Sequence, residues 1–172
     1  DVCSSDLMNI FMLDQDPVKA AQHHADKHVI KMILESAQLL CTAINHHHGK
    51  QVMPYKTTHL NHPCSLWVRE SRDNALWLVE LTEALNAEYL YRYRGLSNHK
   101  SWDMLKSCRI RTRLRVLPSV GLTPAALAMP DKYWVLDPFD PVASYRAYYR
   151  GSKADLLQYT RRNLPEWLIS LT

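Results

Sequence analysis

Apolar and polar positions along this chain recur with helical rather than strand spacing. Ala21, Ala25, Val29, Met32, Ile33, Ala37, Leu40 and Ile44 keep the three-and-four interval that lays a stripe along one side of a helix. Asp16-Pro17 opens this stretch with an oxygen acceptor for unbonded amides and a ring whose φ is already helical, and neither glycine nor proline occurs again until Gly49. The pattern predicts one long helix over residues 16–45. A second stretch begins at His62-Pro63 and continues to Arg94, just ahead of Gly95, with Trp67, Asn74, Trp77, Leu78, Leu81, Leu85 and Tyr89 on its inner face. Residues 102–115 suit a third helix, but the alternation of Arg109, Arg111, Arg113 and Arg115 suits an extended strand equally, and both readings stay open. Pro118, Pro124, Pro130, Pro138 and Pro141 then punctuate a loop-rich stretch, after which Asp140-Pro141 repeats the helix-start chemistry. The expected fold is mainly α: a compact single-domain helical bundle with two long N-terminal helices and a loop-rich C-terminal third.

Residues 1–7 share no pattern with the rest of the chain and are read as a non-native leader. Met8 is the expected natural start, and residues 8–172 the helical domain. With 172 residues, 47% hydrophobic, 22% charged and only 4 glycines, the composition is that of an ordered globular protein. No apolar run approaches the roughly 18 residues of a membrane span. Nor does the start have the layout of a secretory signal, so a cytoplasmic protein without a membrane partner is expected. Cys3, Cys41, Cys64 and Cys108 lack paired spacing and are expected to be free thiols. A net charge of +4 favours anionic partners but falls short of a dedicated duplex binder, leaving nucleotides and nucleic acid both open.

The candidate chemistry lies on the first helix. His24, His28, Lys31 and Glu35 are spaced at intervals of four, three and four, so a continuous helix places them on one face. That ladder is either a solvated surface with a helpful Lys31–Glu35 pair or a site. As a site, Glu35 serves as general base or electrostatic partner while Lys31 and the histidines grip phosphate. The His24–His28 pair lacks the glutamate of an HExxH metal motif, so no metal and no cofactor are expected. Ahead of the second helix, Lys56, His59 and His62 add cationic or neutral donors near a helix N-terminus, with Trp67 and Arg69 one turn further in. Near the C-terminus, Tyr145-Arg146-Ala147-Tyr148-Tyr149-Arg150-Gly151-Ser152-Lys153 interleaves aromatics with bases. Such a segment either stacks and neutralises a nucleotide or packs its tyrosines while the arginines reach for water.

Two resemblances bear on these residues. Ala25-Asp26-Lys27-His28 with Glu35 downstream is similar, at matching spacing, to the ADQH segment and catalytic glutamate of the endonuclease V-type pyrimidine-dimer DNA glycosylases. The segment from Tyr145 to Gly151 resembles that family's aromatic and basic C-terminal tail. The resemblance implies a catalytic Glu35, and it departs at the nucleophile. That family uses the α-amine freed by loss of its initiator methionine, whereas Met8 here precedes the bulky Asn9.

From Met8 to Leu168 the chain also resembles a widespread family of small tailed-phage proteins. Asp16-Pro17, Asp26-Lys27-His28-Val29, Lys31-Met32, Glu35, Asn61-His62-Pro63, Trp67-Val68-Arg69-Glu70, Gly121-Leu122-Thr123-Pro124, Met129-Pro130-Asp131 and Pro165-Glu166-Trp167 carry this likeness. It implies a non-catalytic protein of the infected bacterial cell. Such a protein sequesters an ADP-ribose-type immune signal, cyclic or histidine-linked, as an anti-Thoeris sponge does. On that expectation His24, His28, Lys31, His62 and Arg146 grip pyrophosphate, Trp67 or Tyr149 stacks the base, and Glu35, His59, Arg69 and Tyr145 complete the pocket, with assembly of copies permitted. The second expectation is a glycosylase using Glu35 with a terminal or lysine amine, and with Arg109 to Arg115 on DNA phosphates.

Overall fold

The computed structural model describes residues 8–169, so the seven-residue leader read from the sequence lies outside the described residues. The chain is all-helical, with α1 at Pro17–His23, α2 at Asp26–His48, α3 at Pro63–Glu70, α4 at Arg72–Tyr93, α5 at Lys100–Ser107, α6 at Ile110–Arg113, α7 at Pro141–Ser152 and α8 at Glu166–Ile169. Among the described residues no strand forms, and the one β-bridge joins Leu136 to Phe139. Helices α2 and α4 pack along each other as the central pair, with α1 and α3 against them. The predicted stripe of α2 is buried at Val29, Met32, Ile33, Ala37, Leu40 and Ile44. Their side chains join those of α4 and α7 in one core cluster.

Both long helices are broken where the sequence read them as continuous. The first ends at His23, because His24 and Ala25 are extended, with ψ of 135° and 154°. No glycine or proline marks this break; distant side chains stabilise it. Arg92 donates to the carbonyls of Gln22 and His24 at 2.9 and 2.7 Å, and Tyr159 donates to that of His23 at 2.8 Å. The Ala25 amide donates to the Tyr149 hydroxyl at 3.1 Å and the Asp26 amide to the Gln158 carbonyl at 2.8 Å. The groups freed by the break are thereby satisfied from segments far along the chain.

The second break falls at Ser71, which is extended at φ −145° and caps α4 by accepting from the Asp73 amide at 3.2 Å. Asn74 steadies this corner, donating to the Trp67 carbonyl at 2.8 Å and accepting from the Thr123 amide at 2.9 Å. Further on, Arg109 sits in the left-handed region at φ 52° between α5 and α6, and residues 110–116 continue helically. The strand reading of the alternating arginines is therefore replaced by one α-helical turn and a 3-10 turn. Start signals act as predicted: the Asp16 carboxylate accepts from the Val18 amide, and the Asp140 carboxylate from the Ala143 amide. Gly49 closes α2 in the left-handed region.

Before α1, residues 8–13 run as an irregular segment buried along their length. Asn9 ties this segment to the loop before α7, donating from Nδ2 to the Ala128 carbonyl at 2.9 Å. Arg146 holds its far end through the Leu13 carbonyl at 2.8 Å and the Asp14 carboxylate at 3.1 Å.

Candidate functional site

Glu35 lies on the side of α2 turned toward the buried N-terminal segment, and the residue is 4% exposed. Its Oε2 accepts from the backbone nitrogen of Asn9 at 3.1 Å, and Lys31 Nζ stands 3.5 Å from Oε1. Lys31 is four residues earlier on the same helix and keeps 46% of its side-chain surface exposed, so the pair joins solvent to the interior. The site thus brings together a buried carboxylate, a half-exposed lysine and a main-chain nitrogen. The neighbouring groups are poor nucleophiles. Burial pushes the Cys64 thiol up to about 12, and the Tyr145 hydroxyl, also raised well above its ordinary value by burial, donates to the Ala126 carbonyl at 2.7 Å.

The remaining members of the expected ladder are placed in the interior. The break before α2 removes His24 from the face of Lys31 and Glu35, and its ring is fully buried with Nδ1 at 2.6 Å from the Ala20 carbonyl. Its Nε2 is buried without a partner among the described residues. Burial chiefly drives its pKa down to about 4, so at neutral pH the ring is uncharged and cannot grip phosphate as a cation. His28 does face inward with Glu35, but its ring stacks on Phe11 at 4.5 Å and its Nδ1 lies 2.6 Å from the Tyr149 hydroxyl.

The aromatic platforms are core as well. Tyr145 and Tyr149 are buried around Phe11. Trp67 packs edge-to-face on Trp77 and donates to the Thr123 carbonyl at 3.2 Å. Base stacking on these rings is replaced by packing, because their faces are covered by other side chains. At the start of α3, His62 uses its own Nδ1 to accept from the Cys64 amide at 3.2 Å, taking an amide that an anion was expected to meet. Arg69 donates to the Leu60 carbonyl, and His59 is exposed beside the Thr58 hydroxyl. Of the expected phosphate-gripping set, Lys31 and Arg146 alone are cations reaching the surface.

Sequence reasoning missed the group that holds this architecture. Arg92, without exposed side-chain surface, donates to Glu88 at 2.8 Å and to Asp26 at 3.1 Å besides its two carbonyls. Asp26 also accepts from the Thr160 amide and hydroxyl, and Glu88 from Arg162 at 2.6 Å. Glu88 and Arg92 stand four apart on a helix, a spacing that signals an ion pair but not its burial. Asp26 is thus committed to this network.

Among the described residues no cluster of three or more His, Cys, Asp or Glu is placed to hold a metal, and Cys41, Cys64 and Cys108 are free thiols. No described helix is long and apolar enough to cross a membrane. Comparison with protein-family models, with curated proteins and with solved structures finds no match to this chain.

Proposed function

We propose that Glu35 and an amine beside it carry glycosylase and lyase chemistry on damaged or modified pyrimidines in DNA. One observation carries this reading: the backbone nitrogen of Asn9 lies on the Glu35 carboxylate at 3.1 Å. If the Met8–Asn9 bond is cleaved, that nitrogen becomes an α-amine already in contact with a buried acid–base group. The amine attacks C1′ of the sugar, the C1′–N bond breaks with its electron pair leaving on the base, and Glu35 relays the displaced amine proton toward the departing base. Ring opening then gives an imine between sugar and protein. Lys31 Nζ is the other candidate amine at this carboxylate. The Asn9 nitrogen stands closer to the carboxylate, at 3.1 Å against 3.5 Å for Lys31 Nζ, which favours Asn9.

The test is borohydride trapping on a duplex carrying an abasic site. Protein cut to begin at Asn9 should form a covalent protein–DNA adduct. Glu35→Gln should lose it, Lys31→Ala should keep it, and retention of Met8 should prevent it. A folded protein beginning at Asn9 that forms no adduct, on abasic or dimer-containing duplex, sinks the reading.

Sequestration of an ADP-ribose-type nucleotide is the second reading. It is favoured by Arg146, the expected phosphate-gripping residue near the C-terminus that retains 26% of its side-chain surface exposed. Titration with cyclic ADP-ribose isomers and histidine-linked ADP-ribose, with subsequent heat release, should return intact ligand. Silence across that set of ligands removes this reading.

A further inference from the structure

The described surface holds a second feature that the chemistry proposed at Glu35 does not use. A cleft of about 730 Å³ opens between α1, α7 and the segment leading into α8, lined by Lys19, Gln22 and His23, by Arg146, and by residues 162–167. Its far wall is fixed by Trp167. The indole lies beneath the Arg146 and Arg150 guanidinium groups, at 5.3 and 6.0 Å from ring centre to Cζ, and meets the His23 ring edge-on at 5.8 Å. Indole Nε1 can only donate, and it donates to His23 Nδ1 at 3.2 Å, which places the proton of the neutral imidazole on Nε2. Burial, the main cause, holds the His23 pKa below its ordinary value, consistent with that neutral ring. The wall is therefore set before any ligand arrives, and binding there need not bear the cost of ordering it.

The hydrogen-bonding capacity left in this cleft is rich in donors. Lys19 Nζ and the side-chain amides of Gln22 and Asn163 have no protein partner among the described residues. The Asp14 carboxylate is already used, accepting from Arg146 at 3.1 Å and from the Asp16 amide at 2.9 Å. Arg162 spends Nε and one terminal nitrogen on Glu88 behind the wall, which leaves its other terminal nitrogen. Glu166 is a second carboxylate in the lining, so three cations face two acids and the charge excess is small. Selectivity for an anion here comes from convergent donors held on three separate segments rather than from bulk charge.

We infer that this cleft binds a phosphate-bearing group, with Lys19, Arg146, Gln22 and Asn163 donating to its oxygens. The inference does not rest on chemistry at Glu35, and it shares Arg146 with the sequestration reading. A free nucleotide and a DNA strand can both supply the group, and the experiment separates them.

Inorganic pyrophosphate is titrated into the full chain by calorimetry and by amide chemical-shift mapping, in parallel with AMP, ADP-ribose and a short DNA duplex. Pyrophosphate should bind and shift amides of residues 19–23 and 162–167. Lys19→Glu, an exposed change remote from the core, should weaken it by about 10- to 100-fold, the range of one charge-assisted hydrogen bond. Asn163→Asp should weaken it in the same direction. ADP-ribose or AMP binding more tightly than pyrophosphate, and losing affinity with Lys19→Glu, assigns the site to a nucleotide. Duplex binding that loses affinity and salt dependence with Lys19→Glu assigns it to strand phosphate. Failure of pyrophosphate to bind at millimolar concentration overturns the inference, as does binding that Lys19→Glu leaves unchanged. Adduct formation at Glu35 is read separately, so a failure here does not touch that result.

Discussion

Arg92→Met is expected to cost about 3–5 kcal/mol of folding stability at pH 7, measured as a loss in urea-derived unfolding free energy. The side chain has no exposed surface and serves four acceptors: the carboxylates of Asp26 and Glu88 and the carbonyls of Gln22 and His24. Methionine fills much of the volume but removes one donor from each carboxylate and from the carbonyls released by the α1–α2 break. Asp26 retains Thr160 and Glu88 retains Arg162, so the loss is that of one partner, not of the whole network. Lysine is expected to recover only part of it, because one ammonium cannot span acceptors that a planar guanidinium reaches on several sides. Arg162→Met, at a position whose side chain is 33% exposed, should cost less. A loss of no more than about 1 kcal/mol in Arg92→Met would show that the break does not depend on Arg92.

The second large effect is acid sensitivity traceable to His24. Burial holds this histidine at about 4, below its ordinary 6.5, so the folded state binds its proton later than the unfolded state does. Its contribution is therefore complete above pH 6.5 and is lost progressively as the pH falls from 6.5 to 4. At about 1.4 kcal/mol per unit, the loss reaches about 3 kcal/mol at the lower limit. Histidines 23, 62 and 99 are also lowered by burial and act with the same sign. Glu88 works in a different window. Burial raises its pKa, but the hydrogen bonds from Arg162 and Arg92 outweigh this, and the net shift is downward. Its contribution is present above the ordinary carboxylate value and is lost as the pH falls through the lowered one. Urea midpoints collected from pH 7.5 to 4 should decline steadily in the natural chain and distinctly less in His24→Leu. Equal declines in the two proteins would remove His24 as the cause.

How much of this was legible in the sequence differs between local and distant physics. Caps at Asp16, Asp140 and Gly49 depend on a few adjacent atoms, and they act where the sequence places them. The apolar stripe of α2 is likewise a local period, and it is buried as expected. The break at His24 and Ala25 depends on Arg92, Tyr149, Gln158 and Tyr159, which no window around residue 24 contains. Missing it carried over to the site, because a continuous helix puts His24 beside Lys31 and Glu35 whereas the broken one sends it into the core. Ser71 is a different case: its cap chemistry was in the sequence, but the apolar pattern on both sides ran on through it. Glu35 was found from spacing and resemblance. Its contact with Asn9 was not, since an irregular segment announces no direction through hydrophobicity alone.

The five bonds that satisfy the α1–α2 break also impose an order in time. Their partners lie at positions 92, 149, 158 and 159, so all are still unmade when the ribosome first exposes residues 16–48. At that stage nothing in the local sequence opposes one continuous helix. The kink therefore gains its native bonds only as residues 92 to 159 arrive, and any continuous helix formed before then has to unwind at His24 and Ala25 for the chain to finish folding. Synthesis from the N-terminus thus delivers the residues that bend long before the residues that hold the bend.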